Sequence, residues 1–311
     1  MGHTDAGRDF DVLVVGDLNA DLILSGDVTP AFGQVEKLLD DVNLTIGSSA
    51  AIFACGAARL GLRTAFVGKV GDDTFGRFMI EALMARGIDT SGVVIDSTIK
   101  TGLSVILSRR TDRAILTYLG SIAALRFPEI DLALLQRARH LHLGSFFLLD
   151  ALRPDIPKFF KTARASGLSV SLDTNYDPTE KWNGNLMDTL GQVDIFLPNE
   201  TELLRITRAN EVQTGLQALS ERVPLIALKR GAEGALAQQG TASYSAQSIA
   251  VDVLDTTGAG DSFDAGFIYG YLNGWHIPRS LRLGCVCGAL STQGFGGTAA
   301  QPTLPEALSK L

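Results

Sequence analysis

Short runs rich in Val, Ile, Leu and Phe occur at residues 12–15, 64–67, 138–143, 168–173, 195–197 and 225–228. Between them, residues 49–60, 75–85, 155–165 and 201–208 carry apolar side chains every three or four positions, which is the spacing of one buried helix face. Strand-length runs alternating with helical stretches predict an α/β fold with a mostly parallel central sheet and helices on both faces. Two more helices are expected at 259–273 and 279–293. The alternation breaks at 102–107 and 114–118, two strand-like runs separated by the charged turn SRRTDR with no helix between them. They predict an antiparallel hairpin. Residues 22–24 and 42–46 flank a Gly- and Pro-containing connection and read as further strands. These pieces, in segments of about 17–46 and 101–120, predict a small sheet projecting from the main body as a lid.

Length and composition narrow the possibilities. A chain of 311 residues with 46% hydrophobic content has ample material for one large core, and no linker or repeat divides it, so residues 10–311 are expected to form a single domain. A net charge of −7 argues against binding nucleic acid or an anionic membrane surface. Cys55, Cys285 and Cys287 lack the second pair that a zinc site needs. No apolar run reaches the ~20 residues of a membrane helix, and the opening residues lack a hydrophobic secretory core, so a cytoplasmic location is expected. Residues 1–9 are polar and glycine-containing and are expected to be a poorly ordered leader.

The string DTTGAGDSF, residues 255–263, precedes an apolar helical run. Its glycines let backbone N–H groups approach a ligand, and a helix starting there aims its positive end at an anion. Asp261, in the first turn, is placed to accept a proton from an attacking hydroxyl, and the helix dipole is expected to keep it ionised at neutral pH. Taken alone, GAGD equally suits a cap and turn. Asn19 and Asp21 lie just past the first strand, where a parallel sheet opens its ligand crevice; they suit either a polyol or an Asx turn. Asn199 and Glu202 have the spacing of a capping box. His140 and His142 alternate on one strand face and are expected to be packed or hydrogen-bonded rather than to bind metal.

DTTGAGDSF, with IGSSAAIFACGAARLG at 46–61 and FVGKVGDDTFG at 66–76, resembles the signatures of the ribokinase/PfkB carbohydrate kinase family, over nearly the whole of residues 12–304. The resemblance implies a ribokinase-like fold and ATP-dependent phosphorylation of a hydroxyl on a sugar-like molecule. It assigns the base to Asp261 and the anion hole to Gly258, Ala259 and Gly260. It gives the sugar Asp21 and Asn19, with Gly47, Ser48, Ile52, Tyr118 and Gly144 as further contacts, and Arg113 and Gly120 nearby. It gives ATP and magnesium Asp173, Asn175, Asn199 and Glu202, the last through water, and places Lys229, Gly231 and Gly234 in the loop sheltering adenosine. Asp255, completed by residues 294–303, matches a monovalent-cation site, so potassium is a candidate cofactor. Relatives often pair through their lids, which implies a homodimer.

The sequence departs from the family at Ile52, where an Asn contacting the sugar is usual. An Ile donates no hydrogen bond, so the pocket wall is more apolar than in a ribokinase. Ketohexoses, keto-deoxy sugar acids, cyclitols and nucleosides all remain candidates. Rival chemistries have little support: GFGGTA at 294–299 follows a helix instead of a first strand, as a dinucleotide fingerprint would require, and no Walker A string occurs. A sensor that binds sugar without transferring phosphate is the remaining alternative.

Overall fold

The computed structural model describes residues 7–109 and 112–311. Arg110 and Thr111, in the expected hairpin turn, and residues 1–6 of the expected leader lie outside the described residues. Of the rest of that leader, Asp9 pairs with Arg137 at 2.7 Å and Arg8 donates to the Ser166 carbonyl at 3.0 Å. These two residues are therefore tied to the domain, contrary to the expectation of disorder.

The strands in chain order are β1 (Phe10–Val15), β2 (Asn19–Ser25), β3 (Asp41–Ile46), β4 (Thr64–Val67), β5 (Lys69–Gly71), β6 (Val94–Asp96), β7 (Gly102–Arg109) and β8 (Asp112–Tyr118). They continue as β9 (Ala138–Leu143), β10 (Ser169–Leu172), β11 (Ile195–Phe196), β12 (Leu225–Lys229), β13 (Ala235–Gln239) and β14 (Ala242–Ala246). The longer helices are α1 (Ser49–Arg59), α2 (Thr74–Met84), α3 (Ile156–Ala165), α4 (Glu200–Thr207), α5 (Val212–Ser220), α6 (Ala259–Leu272) and α7 (Ile277–Ser291).

Among the described residues the main sheet has the order β14-β13-β12-β11-β10-β9-β1-β4. It is parallel from β4 to β12 and antiparallel at β13 and β14. Every residue of β1 is buried, as a central parallel strand covered on both faces must be. Its alternation divides the core in two: Val12 and Val14 pack with α1, α6 and α7, while Leu13 and Val15 pack with α3, α4 and α5.

A second sheet, β3-β2-β7-β8, forms the lid. Its register places Thr45, Asp21, Ser104 and Thr117 in one row. Because side chains alternate across a sheet, the next row, Leu44, Leu22, Val105 and Leu116, faces the other way. The β13–β14 hairpin and helix α5 were not anticipated. The hairpin turns through Gly240, at a φ of 55°. Helix α5 carries Gly215 in its interior, which weakens the helical signal yet lets α5 approach α4, since a Cβ there would lie 3.1 Å from Leu203.

Candidate active site

Helix α6 begins in an open hollow of about 1310 Å³ at the carboxyl ends of the central strands, roofed by the lid. Gly258 precedes the helix at a φ of 71°, and a Cβ on it would fall 2.7 Å from Gly297 Cα and 2.8 Å from Ile52 Cγ2. Glycine is required there on both counts. The first N–H groups of a helix have no acceptor inside it. Ala259 donates to the Thr256 carbonyl at 3.3 Å, whereas the amides of Gly258, Gly260 and Asp261 meet no protein acceptor among the described residues. Of the three expected amides, that of Ala259 is thus committed to the chain, and the Asp261 N–H joins those of Gly258 and Gly260 in meeting no such acceptor.

The Asp261 carboxyl lines the same hollow as Ser49 and is buried. Burial pushes its pKa well above the ordinary carboxylate range, and the neighbouring Asp173 charge adds to the effect, against the pull of Lys229. The shift runs opposite to the one expected from the helix N-terminus, because desolvation and a like charge outweigh the dipole.

Two carboxyl groups hold one ammonium. Lys229 Nζ donates to Asp173 at 2.8 Å and to both oxygens of Asp264 at 3.0 and 3.2 Å, and the charges of Glu202 and Asp261 are felt at the same centre. Burial opposes charge on Lys229, but these carboxylates raise its pKa above the ordinary value. Burial also works against ionising Asp173, and there the lysine prevails and holds the carboxyl below its usual range. Lys229 is thus a buried ion-pair residue and not a solvated one. Gly231 and Gly234, expected beside adenosine, line the hollow.

Asn199 and Glu202 form the anticipated capping box: Asn199 Oδ1 accepts from the Glu202 N–H, and the two Glu202 oxygens accept from Asn199 Nδ2 and N at 2.6 and 2.9 Å. Burial, and next the Asp173 charge, push Glu202 up to about 7. Among the described residues no three His, Cys, Asp or Glu side chains converge as an ion cage. The donor set nevertheless fits Mg²⁺ brought in by phosphates: carboxyl groups outnumber the ammonium, and each Glu202 oxygen keeps a lone pair.

On the lid side, Asp21 Oδ1 accepts from Asn19 Nδ2 at 3.2 Å, and Ser104 bonds Thr117 at 3.0 Å. A Cβ at Gly47 would lie 2.1 Å from Asp21 Oδ1, so Gly47 makes room for this carboxyl and stands behind it. Burial, and next the charge of Asp17, push Asp21 up to about 7. Ser48, at a φ of 69°, caps α1 and accepts from the Ala51 N–H; both it and Ile52 line the hollow. Ile52 also packs on Gly258 and Gly297.

Two expected sugar contacts are misplaced. Tyr118 lies on the outer face of the lid, 55% exposed, and borders a shallow depression with Gly120; the alternation of β8 turns Thr117 inward instead. Gly144 packs on the backbone of Ala50, with a virtual Cβ 3.1 Å from its Cα, and serves the approach of α1 to the sheet. Arg113 reaches the hollow, bonding Thr257 and lying 3.3 Å from Asp255. Asp255 accepts from the N–H and hydroxyl of Thr257 and from the Gly296 N–H. Its Oδ1 is therefore crowded by both Thr257 donors and the Arg113 guanidinium, whereas its Oδ2 accepts from Gly296 and keeps a lone pair.

Sequence reasoning missed Ser49, Asp17, Ser104, Thr117 and Asp264. Asn175, at a φ of 54°, joins them by donating to Ser145 at 3.0 Å and to Ser49. His140 and His142 bond the hydroxyls of Ser169 and Ser171, and burial lowers both to about 3. They are neutral packing residues, as expected.

Comparison with known proteins agrees with this geometry. The profile described as pfkB family carbohydrate kinase matches residues 9–304. A sugar kinase from Archaeoglobus fulgidus, itself uncharacterized, is 31% identical over 248 residues, 79% of this chain and 98% of its own. The 5-dehydro-2-deoxygluconokinase of Geobacillus thermodenitrificans is 29% identical over 97% of this chain and 93% of its own. Fructokinase of Xylella fastidiosa, solved with bound ATP, superposes with a TM-score of 0.84 at 25% identity, covering 96% of this chain and 97% of that one. An E. coli protein provisionally named ribokinase II, solved with ATP and Mg²⁺, gives 0.85 at 25% identity over 96% and 98%. The chain belongs to the pfkB family of carbohydrate kinases.

Proposed function

We propose that this hollow transfers the terminal phosphoryl group of ATP to a hydroxyl of a sugar-like substrate lying between Asp21 and Asp261. The observation that carries the reading is that the acceptor-free amides of Gly258, Gly260 and Asp261 open into the cavity that Asp21 borders from the lid. Asp21 and Asn19 orient the substrate's hydroxyls. The attacking oxygen gives its proton to Asp261, forms the new P–O bond, and the electron pair of the broken bond leaves on ADP. The amides meet the charge that develops on the phosphoryl oxygens, in place before the reaction begins. Mg²⁺, held through water by Glu202, would neutralise phosphate charge. The lid excludes water, which would otherwise take the phosphoryl group.

A deoxy or keto sugar acid suits the pocket best among the candidates. Ile52, Ile106, Ile115, Ile122 and Leu148 supply an apolar wall, and Arg113 supplies a cation for a carboxylate. Relatives named 5-dehydro-2-deoxygluconokinase support this choice. Nucleosides and cyclitols are the alternatives, and a binding-only relative would take up substrate without consuming ATP. A second copy of the chain is proposed to pair through the outer face of the lid. With sugar acids, ketohexoses, cyclitols and nucleosides as acceptors, a coupled ADP-release assay should give turnover on the first class. Asp261→Asn should cut kcat by ~10³-fold, within the range for a general base, while calorimetry still detects substrate. Turnover near the wild-type rate in that variant removes Asp261 as the base.

A further inference from the structure

One buried residue of the site has no part in the steps above. Asp264 is fully buried, one helical turn beyond Asp261 on α6, and its carboxyl makes its ion pair with Lys229. A buried carboxyl is costly unless paired and hydrogen-bonded, so the pair must be considered as a unit.

Lys229 ends β12. Its N–H donates to the Pro198 carbonyl at 2.9 Å, and its backbone bridges to Asn199, which fixes the root of the side chain beside the Asn199–Glu202 turn. The stem then crosses toward α6, where Asp173 and Asp264 hold the ammonium from two sides. A Cβ built on Gly260 would lie 3.6 Å from Nζ, so the charge sits beside the amide cradle with no side chain between. An ammonium has three N–H donors. Asp173 takes one at 2.8 Å and the two Asp264 oxygens take the others at 3.0 and 3.2 Å; Lys229 lines the open hollow, where a phosphoryl oxygen can replace the longer of the two Asp264 contacts.

We infer that Lys229 is a catalytic residue whose ammonium contacts the transferring phosphoryl group, and that Asp264 is a positioning residue that holds it there. As the bond from the γ-phosphorus to the bridging oxygen breaks, its electron pair moves onto ADP. The Lys229 ammonium donates a hydrogen bond to the oxygens gaining that charge and keeps its own proton, while the substrate proton goes to Asp261. Asp173 and Asp264 supply the fixed geometry: with one carboxylate alone, the four-carbon stem has rotamer freedom to swing out of line. The ATP-loop reading of this lysine is thereby replaced by a role at the transferring group. The inference rests on the proposed kinase reaction at this site.

The test compares Lys229→Met, Asp264→Asn and the double variant, using Mg·ADP and Mg·ADP with aluminium fluoride as the binding probes. Calorimetry should show Mg·ADP affinity within ~3-fold of wild type in all three, while the fluoride complex, a mimic of the moving phosphoryl group, loses ~100-fold in Lys229→Met, the scale of one lost charge-stabilising donor. Its kcat should fall by a similar factor, with KM for ATP changed by less than ~5-fold. Asp264→Asn should lower kcat ~10-fold. Adding it to Lys229→Met should lower kcat no further, because it acts through the ammonium. If Lys229→Met alone does not fold, with its carboxyls left unpaired, the double variant gives the same binding comparison with one buried charge fewer.

Equal loss of both probes would overturn the assignment of Lys229, as would kcat within ~3-fold of wild type. Additive losses in kcat would overturn the role of Asp264. Retained Mg·ADP binding in the variants, with Asp261→Asn inactive, leaves the kinase reading standing whichever way Lys229 falls.

Discussion

The two ends of the hollow are built from different materials. The proposed phosphate end consists of backbone amides, a left-handed glycine and a knot of buried charge. At the proposed sugar end, aliphatic side chains from the lid strands and α1 line the hollow, and Asp21 and Asn19 are the polar pair beside them. On the proposed reading, transfer chemistry is a property of chain geometry, whereas choice of substrate is a property of side chains brought together from distant segments. Changes at the first end should act on kcat and changes at the second on KM.

The largest separation should come from Gly258→Ala. The added methyl meets Gly297 Cα at 2.7 Å and needs a φ of 71°, which costs an L-residue about 1–2 kcal/mol before any clash. The amides of the cradle would tilt, and kcat should fall by ~10²-fold or more, with KM for the sugar little changed. Steady-state kinetics on the folded variant check this. A change confined to KM would break the division between the two ends.

At the other end, Asp21→Asn keeps the shape and removes the charge. Loss of a hydrogen bond to a charged group is worth about 1.5–3 kcal/mol, so KM for the substrate should rise ~10- to 100-fold with a smaller effect on kcat. The same residue gives a pH signature. Its folded pKa, pushed up by burial to about 7 from the ordinary 3.8, lies above that of the unfolded chain, so the neutral carboxyl favours folding. That contribution is fully present below pH ~4 and is lost as the pH rises through 7. Thermal melts from pH 4 to 8 should show the wild type losing stability that Asp21→Asn retains. Parallel curves would place the Asp21 carboxyl in water.

How much of this was legible beforehand follows the same division. GAGD, Asn199 with Glu202, and the first strand with Asp21 are local strings, and their geometry follows from local rules of turns, caps and strand ends. Asp264 sits inside the same helical string but looks like any polar residue in a buried helix until β12 brings Lys229 against it. Ser104 and Thr117 become neighbours of Asp21 through the register of β2, β7 and β8. Tyr118 was misread because one step along a strand reverses the face, and nothing local says which face is the roof of the hollow. The direction of the Asp261 pKa shift was misread for a related reason: the helix dipole is visible in sequence, while burial and Asp173 arrive from elsewhere in the fold.

The smallest effect on catalysis should come from the back of the lid. Leu116, 61% exposed, shares a row with Val105, Leu22 and Leu44, and Val42 and Tyr118 extend the apolar face on either side, at 59% and 55% exposure. Such a face in water is a candidate for coverage by its own copy, which removes about 25 cal/mol per Å² of apolar area. Leu116→Arg puts a charge in its centre, and two copies related by a two-fold axis would bring two such charges into the contact. Sedimentation should show the wild-type dimer becoming a monomer. Because Leu116 points away from the hollow while its neighbours Ile115 and Thr117 line it, kcat should stay within ~3-fold. A wild-type monomer would dismiss the pairing, and a ~100-fold loss of kcat on dissociation would mean that the wall facing the sugar depends on the partner as well as on the side chains of its own chain.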